Sequence, residues 1–156
     1  WSLSLPYATD YFNGRRSPDQ DPSLTAKIGG LRLHSSAPEI YRALVEATCF
    51  ATRAIIERMN RYVKKPEQIM CIGGISQKSP FVMQMMADVT GIKMNVLGSS
   101  QSTALGAAMC AATASGIHKD IYAAQKAMGA NICATYLPDA SYREVIEQRY
   151  LRYLAM

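Results

Sequence analysis

A pair of glycines, Gly73 and Gly74, follows a short apolar run and precedes a helix-start signal at Ser79 and Pro80. Glycine has no Cβ atom and tolerates positive φ angles, so the backbone here can turn tightly and let a planar ligand approach closely. Serine at the N-cap followed by proline at the first helical position is a common way to begin a helix. A strand, a glycine turn and a helix start are typical of a nucleotide pocket, although a plain connecting turn uses the same residues.

The composition of the chain restricts the classes of partner that the protein is expected to bind. The 156 residues are 49% hydrophobic and 19% charged, as in an ordinary globular domain. The net charge of +5 comes from scattered basic residues, without the aromatic-interleaved cluster of a nucleic-acid module. The sequence contains no apolar run that approaches the length of a membrane span. We therefore expect neither nucleic acid nor a membrane as a partner.

The four cysteines stand far apart in the sequence: Cys49, Cys71, Cys110 and Cys133. Three of them fall in apolar helix or strand patterns, which favours small buried side chains over metal ligands or disulfides. This usage is typical of a reducing compartment, so we expect a cytoplasmic protein. His34 and His118 have no clustered partners, and the sequence therefore predicts no metal site. Because the chain begins at Trp1 rather than Met, we expect it to be part of a longer protein.

Hydrophobic periodicity and turn signals place the surrounding elements. Residues 1–25 predict a loop-rich N-terminal segment, followed by a domain over residues 26–156. The predicted strands are short and apolar or alternating: 26–33, 68–72 and 93–97. The predicted helices begin or end at capping residues: 38–62, 80–90, 102–115, 120–128 and 140–154. Strands that alternate with helices indicate an α/β unit with a largely parallel sheet flanked by helices.

Two of the predicted helices carry further signals. The helix over 102–115 consists almost wholly of small residues and ends before Gly116, so we expect it to pack closely on a sheet or another helix. Gln84 and Asp88 lie one turn apart on the helix over 80–90. They either support the glycine loop from beneath or form an ordinary solvated pair.

Three stretches together resemble the C-terminal domain of the FGGY family of carbohydrate kinases. The glycine loop contributes the run Ile72-Gly73-Gly74-Ile75-Ser76-Gln77-Lys78-Ser79-Pro80, continued by Ala87-Asp88-Val89-Thr90-Gly91. The other two stretches are Ala26-Lys27-Ile28-Gly29-Gly30-Leu31 with Glu39-Ile40-Tyr41-Arg42-Ala43-Leu44-Val45-Glu46, and Ser100 to Ala108. Their order and spacing agree with the family over residues 26–116. Within it, the run Asp10 to Ser17 and the Gly74 to Lys78 spacing are most similar to members that phosphorylate L-ribulose in arabinose catabolism.

The resemblance implies an actin-like ATPase fold, also called ribonuclease-H-like, of which this chain is expected to be a partial C-terminal domain. It implies ATP and Mg²⁺ as cofactors and a ketopentose as the phosphate acceptor. The family's phosphate-binding hairpin and catalytic aspartate match nothing in this sequence, so we expect them on an N-terminal domain of the same kinase. We therefore expect no catalytic residue, no metal ligand and no kinase activity in residues 1–156 alone. The missing strands should leave an exposed edge, which favours a homo-oligomer.

The resemblance also implies roles for the polar residues of the glycine loop. Gly74 would let the backbone approach the adenosine, and Gly73 would make the turn possible. Lys78 would cover the base with its aliphatic stem while its ammonium stays in water. Ser76 and Gln77 would hydrogen-bond the nucleotide. Each of these three side chains has an alternative interpretation as a solvated turn residue.

In the N-terminal segment, Asp10, Asn13 and Arg15 stand beside an aromatic pair, a composition suited to binding a polyol. An ordinary solvated turn explains them equally well. Two alternatives to an L-ribulose kinase stay open. One is a family member acting on another pentulose or polyol, such as xylulose or D-ribulose, and the other is a non-catalytic actin-like nucleotide-binding module.

Overall fold

The computed structural model describes residues 1–156 and contains six α-helices and five strands. The strands are β1 (Tyr7–Ala8), β2 (Ile28–Gly29), β3 (Gln68–Cys71), β4 (Lys93–Leu97) and β5 (Ile132–Tyr136). The helices are α1 (Ala37–Met59), α2 (Gly74–Lys78), α3 (Pro80–Thr90), α4 (Ser102–Ala114), α5 (Ile121–Met128) and α6 (Arg143–Leu154). A 3₁₀ turn over Ala140–Tyr142 leads into α6. None of the helices combines the length and apolarity that a membrane crossing needs.

Local capping groups account for where the main helices begin and end. At the start of α1, the Ser36 hydroxyl accepts from the Glu39 amide at 3.4 Å, and Glu39 Oε2 accepts from the Ser36 amide at 2.8 Å. At the start of α3, the Ser79 hydroxyl accepts from the Val82 amide. Gly91 ends α3 in the left-handed conformation, with a φ of 64°. The predicted starts of α1 and α3 and the end of α3 are therefore confirmed.

The central sheet has three strands in the order β3-β4-β5. β4 pairs in parallel with β3 and antiparallel with β5. The prediction of a largely parallel sheet therefore holds for β3 and β4, whereas the sequence did not predict β5. Ile132, Cys133 and Thr135 of this edge strand are exposed, so its sequence lacks the apolar alternation of a half-buried strand. β3 is hydrogen-bonded on one side only, which leaves its other edge free.

The strand predicted over 26–33 is largely wrong. Only Ile28–Gly29 is extended, and it pairs antiparallel with Tyr7–Ala8 instead of joining the central sheet. Gly30 ends the strand because it takes a positive φ of 73°. The Tyr7 ring packs against Gly29, where a Cβ atom would lie 2.5 Å from the ring. This small two-stranded sheet joins the N-terminal segment to the rest of the domain.

The predicted packing of α4 on another helix is found on one side, against α5. The helix ends before Gly116, which has a φ of 78°, as predicted. Its small side chains are mostly exposed, and Met109 alone is buried. The prediction of a buried side chain is wrong for Cys110, which is exposed; Cys133, which lies in none of the predicted elements, is exposed as well. Cys110 lies outside the narrow buried stripe of α4, and Cys133 lies on an edge strand.

Helix α3 lies between two apolar clusters. On one side, Met85 and Val89 pack with buried residues of α1 and α6. On the other side, Met83 and Ala87 pack with β4, including Met94. Because burial of such side chains contributes about 1.5–3 kcal/mol each, both faces of α3 are strongly held. The helix thereby fixes the sheet, and the glycine loop that precedes it, relative to α1.

A buried ion pair joins α1 to α6. Glu46 and Arg149 are both 2% exposed, and the guanidinium contacts both carboxylate oxygens, with Nη2 2.7 Å from Oε2. Arg42 Nη1 donates to the same carboxylate at 3.1 Å. The Arg149 guanidinium also donates to the carbonyls of Ser2 and Pro6, each at 2.7 Å. The pair therefore locks the first residues of the chain against both helices, because each buried charge has its partners.

Replacing Arg149 by alanine should leave the Glu46 carboxylate buried with only Arg42 as a partner. We expect the free energy of unfolding to fall by about 3–5 kcal/mol, as when one partner of a buried pair is removed. The exposed Arg143 on the same helix is the matched control, and Arg143→Ala should change stability by less than about 0.5 kcal/mol. Urea unfolding measures both values, and equal losses for the two variants would contradict this role for Arg149.

Candidate functional site

The glycine loop connects β3 to α2. Gly73 takes a φ of 95° and a ψ of 171°, a conformation that only glycine adopts readily. The prediction that the loop turns on a glycine is therefore confirmed for Gly73. Gly74, in contrast, is the first helical residue of α2, and its backbone does not require glycine. Only one residue of the pair is explained by backbone strain.

Gly74 has no packing reason to be glycine either. A Cβ atom built on Gly74 would meet no protein atom within 4 Å. Alanine would favour the helix by about 1 kcal/mol. The backbone of Gly74 therefore faces open space, which is the arrangement that a closely approaching ligand needs.

Gly74 and Lys78 line a cavity of about 580 Å³ between α2 and α1. This volume lies within the range of small-molecule sites, about 300–1,000 Å³. The lining residues come from α1, α2 and the start of α3: Tyr41, Val45, Thr48, Cys49, Gly74, Ile75, Lys78, Ser79 and Val82. The walls are mainly apolar, and Lys78 is exposed without a hydrogen bond or an ion pair in the chain. Such a lining suits a flat heterocyclic base better than a phosphate group.

The α1 wall of this cavity was missed by the sequence analysis. Tyr41, Val45 and Thr48 recur at helical spacing on the side of α1 that faces the glycine loop. This spacing could have revealed the wall from the sequence. It defines a side of α1 that does not belong to the apolar core, because Tyr41 on that side is 56% exposed. Cys49 is fully buried at the same wall, and burial raises the pKa of its thiol to about 12. The thiol therefore stays protonated and contributes packing rather than a nucleophile.

The structure gives Ser76 and Gln77 partners within the chain. The buried Ser76 hydroxyl donates to the Gly73 carbonyl at 2.8 Å. Gln77 Nε2 donates to the carbonyls of Leu97 and Ser99, at 2.9 and 2.8 Å. These bonds hold the glycine loop in shape and tie α2 to the end of β4. Direct contact of Ser76 or Gln77 with a nucleotide stays a prediction.

Asp10, Asn13 and Arg15 lie in the N-terminal segment and do not line the cavity at Gly74. Asp10 Oδ1 accepts a hydrogen bond from the Tyr153 hydroxyl at 2.9 Å. Arg15 Nε donates to the Asp19 carbonyl at 2.9 Å, and Asn13 is exposed. The structure therefore separates the predicted sugar-binding residues from the predicted nucleotide-binding residues.

Gln84 and Asp88 serve a different loop from the one considered in the sequence analysis. Gln84 Nε2 donates to Asp88 Oδ1 at 2.7 Å and to the Leu137 carbonyl at 2.8 Å. The Asp139 amide donates to Asp88 Oδ1 at 3.0 Å. The pair thus attaches α3 to the loop between β5 and α6, and it does not contact the glycine loop.

A second cavity of about 420 Å³ lies between the end of α1, the end of α3 and the loop before α6. Its lining is charged, and Arg53 is already paired with Glu57 at 2.8 Å and with Glu147 at 2.6 Å. This paired lining suits a planar base less well than the cavity at Gly74. No group of three or more His, Cys, Asp or Glu side chains in residues 1–156 is arranged to hold a metal ion.

Comparison with known sequences matches residues 3–115 to the FGGY family of carbohydrate kinases, C-terminal domain. A ribulokinase of Vibrio parahaemolyticus is 42% identical over 148 residues, which are 95% of this chain and 26% of that protein. A ribulokinase of Bacillus licheniformis is 39% identical over 150 residues, which are 94% of this chain and 27% of that protein. The chain thus spans about a quarter of the length of these curated relatives.

Solved structures of sugar kinases share the fold. The ligand-bound xylulose kinase of Lactobacillus acidophilus superposes with a TM-score of 0.83 at 25% identity, over 96% of this chain and 30% of that one. The glycerol kinase of Plasmodium falciparum, solved with ADP, gives a TM-score of 0.81 over 97% of this chain and 30% of that one. At 20% identity the second likeness shows the fold alone. Together these matches confirm the predicted fold class.

Removal of the Gln77 side chain tests its role in shaping the loop. Gln77→Ala should lower the free energy of unfolding by about 1–3 kcal/mol, because two partly buried carbonyls lose their donor. Lys78→Ala removes the next, exposed side chain and should change stability by less than about 0.5 kcal/mol. Urea unfolding of both variants measures the difference, and a neutral Gln77→Ala would show that the loop does not need this contact.

Proposed function

The chain belongs to the FGGY family of carbohydrate kinases, and we propose that it forms the adenosine-binding part of an enzyme that phosphorylates L-ribulose. The reaction would convert ATP and L-ribulose to ADP and L-ribulose 5-phosphate. The relatives at 42% and 39% identity are ribulokinases, which supports this choice of sugar. The spacing between Gly74 and Lys78 and the run Asp10 to Ser17 favour the same choice.

The observation that carries the nucleotide assignment is the unexplained glycine at position 74. Neither strain nor a neighbouring atom requires it, and its backbone borders a cavity of suitable size. In the proposal, the purine base lies against the backbone of Gly74 and the apolar wall of α1. Tyr41 and Val45 contribute that wall, and the aliphatic stem of Lys78 covers the other face of the base.

The proposed sugar contacts come from the N-terminal segment. The carboxylate of Asp10, the amide of Asn13 and the guanidinium of Arg15 provide acceptors and donors that match the hydroxyl groups of a ketopentose. These groups lie outside the nucleotide cavity, as separate binding of sugar and adenosine requires. We therefore assign residues 1–25 to the sugar side and residues 26–156 to the nucleotide side of the enzyme.

Phosphoryl transfer depends mainly on positioning and charge neutralisation. Bound Mg²⁺ would neutralise the phosphate charge, but residues 1–156 offer no carboxylate cluster that fits it. We therefore assign no magnesium contact and no catalytic base to this chain. An N-terminal domain of the same kinase would supply them, and residues 1–156 alone are predicted to be inactive. The free edge of β3 supports the further prediction that the protein self-associates. The proposed cytoplasmic location agrees with ATP as the phosphate donor.

A kinase acting on xylulose is the second candidate, because solved xylulose kinases share the fold at up to 25% identity. The two candidates differ in the sugar and not in the use of ATP. Comparing kcat/KM for L-ribulose, D-ribulose and D-xylulose in the complete enzyme decides between them. A preference for xylulose would overturn the proposed sugar while leaving the nucleotide assignment intact.

The nucleotide assignment is tested by placing a side chain in the open space at Gly74. In the complete kinase, Gly74→Val should raise the KM for ATP about tenfold or more, because the isopropyl group occupies the volume of the base. The KM for the sugar should change less than about twofold, since the sugar contacts lie elsewhere. Steady-state kinetics with each substrate varied in turn measures both constants.

Gly73 provides the matched control one residue earlier. Gly73→Ala should destabilise the protein by about 1–3 kcal/mol, because its φ of 95° is strained for alanine. Gly74→Ala should cost no stability, because its backbone is helical and its neighbourhood is empty. A folded Gly74→Val enzyme with unchanged ATP kinetics would show that the loop is only a structural turn.

A further inference from the structure

Helix α6 lies beyond residue 115, where the family match ends, yet it holds the N-terminal segment in place. Arg149 binds the carbonyls of Ser2 and Pro6, as described above. The guanidinium of Arg152 lies 4.9 Å from the centre of the Tyr7 ring. The backbone that leads to the proposed sugar contacts is therefore fixed by side chains of a helix outside the matched region.

A third side chain of α6, Tyr153, contacts Asp10, one of the proposed sugar-binding residues. The Tyr153 hydroxyl donates to Asp10 Oδ1 at 2.9 Å. The tyrosine is 5% exposed, and its ring packs against those of Tyr11 and Phe50, at centroid distances of 6.1 and 5.6 Å. Burial raises the pKa of Tyr153, so its hydroxyl keeps its proton and continues to donate. The position of Asp10 Oδ1 is thereby set by a rigid, buried donor.

The other carboxylate oxygen of Asp10 has no partner within the chain. Asp10 is only partly buried, and its side chain makes this single hydrogen bond. An ionised carboxylate can accept about four hydrogen bonds, so Oδ2 keeps its full capacity for a donor outside the chain. A sugar hydroxyl is such a donor.

We propose that Tyr153 is a positioning residue for the sugar: it holds one oxygen of Asp10 so that the other faces the ketopentose hydroxyls. The inference rests on the proposed function, and in particular on Asp10 as a sugar contact. An unheld aspartate side chain would lose rotational freedom each time the sugar binds. Tyr153 removes that loss in advance, because the carboxylate is already oriented in the free enzyme.

The same helix offers a matched control at Tyr150. Its hydroxyl donates to Glu57 Oε2 at 2.8 Å, and its ring is 2% exposed. Tyr150→Phe and Tyr153→Phe each remove one buried hydroxyl that binds a carboxylate, but only Tyr153 contacts Asp10. A purely structural role predicts similar effects from the two variants, whereas a positioning role predicts an effect on the sugar from Tyr153 alone.

The test uses the complete kinase, with KM and kcat measured for the sugar and for ATP. We expect Tyr153→Phe to raise the KM for L-ribulose about fivefold to tenfold, because the released Asp10 side chain must then be ordered when the sugar binds. The KM for ATP should stay within about twofold, and Tyr150→Phe should leave both constants within the same limit. An unchanged sugar KM in Tyr153→Phe, or an equal rise in both variants, would overturn the inference.

Asp10→Asn provides a second test that does not depend on the folding of Tyr153→Phe. The asparagine carbonyl still accepts from Tyr153, so the fold is kept while the charge offered to the sugar is lost. We expect a raised sugar KM and, in this background, a smaller further effect of Tyr153→Phe. An unchanged sugar KM in Asp10→Asn overturns the inference. A complete enzyme that phosphorylates no ketopentose would instead overturn the proposed function itself.

Discussion

The buried pair of Glu46 and Arg149 is the constraint on which the arrangement of the N-terminal segment depends. A charge removed from water needs a partner, and each of these two charges has its partner on a helix distant in sequence. The remaining N–H groups of Arg149 donate to the carbonyls of Ser2 and Pro6, which binds the first residues of the chain to the same guanidinium. One guanidinium thus joins the first residues of the chain, α1 and α6 into a single rigid unit.

Helix α1 connects this unit to the proposed nucleotide cavity. One side of the helix carries Ala43, Ala47 and Phe50 into the core shared with α6. Another side carries Tyr41 and Val45 into the cavity opposite the glycine loop. The N-terminal segment with the proposed sugar contacts and the cavity with the proposed adenosine contacts are therefore both attached to α1, although they do not touch each other. Such a frame suits a reaction that depends on the relative placement of two substrates.

The sequence predicts the features that depend on neighbouring residues. The capping box at Ser36, the serine cap at Ser79 and the glycine end at Gly91 each act within one helical turn, and all three are found. The positive φ of Gly73 is local in the same sense. Features that depend on distant partners were missed. β5 is a strand because it pairs with β4, and Gln77 is engaged because the carbonyls of residues 97 and 99 come within its reach.

The cavity between α1 and the glycine loop is proposed to hold the adenosine of ATP. The most direct measurement is a crystal structure of the complete kinase bound to a non-hydrolysable ATP analogue. We expect the purine base to lie in van der Waals contact with the Gly74 backbone, between the α1 wall and the stem of Lys78. A base bound elsewhere, with this cavity filled by water or by another part of the protein, would contradict it.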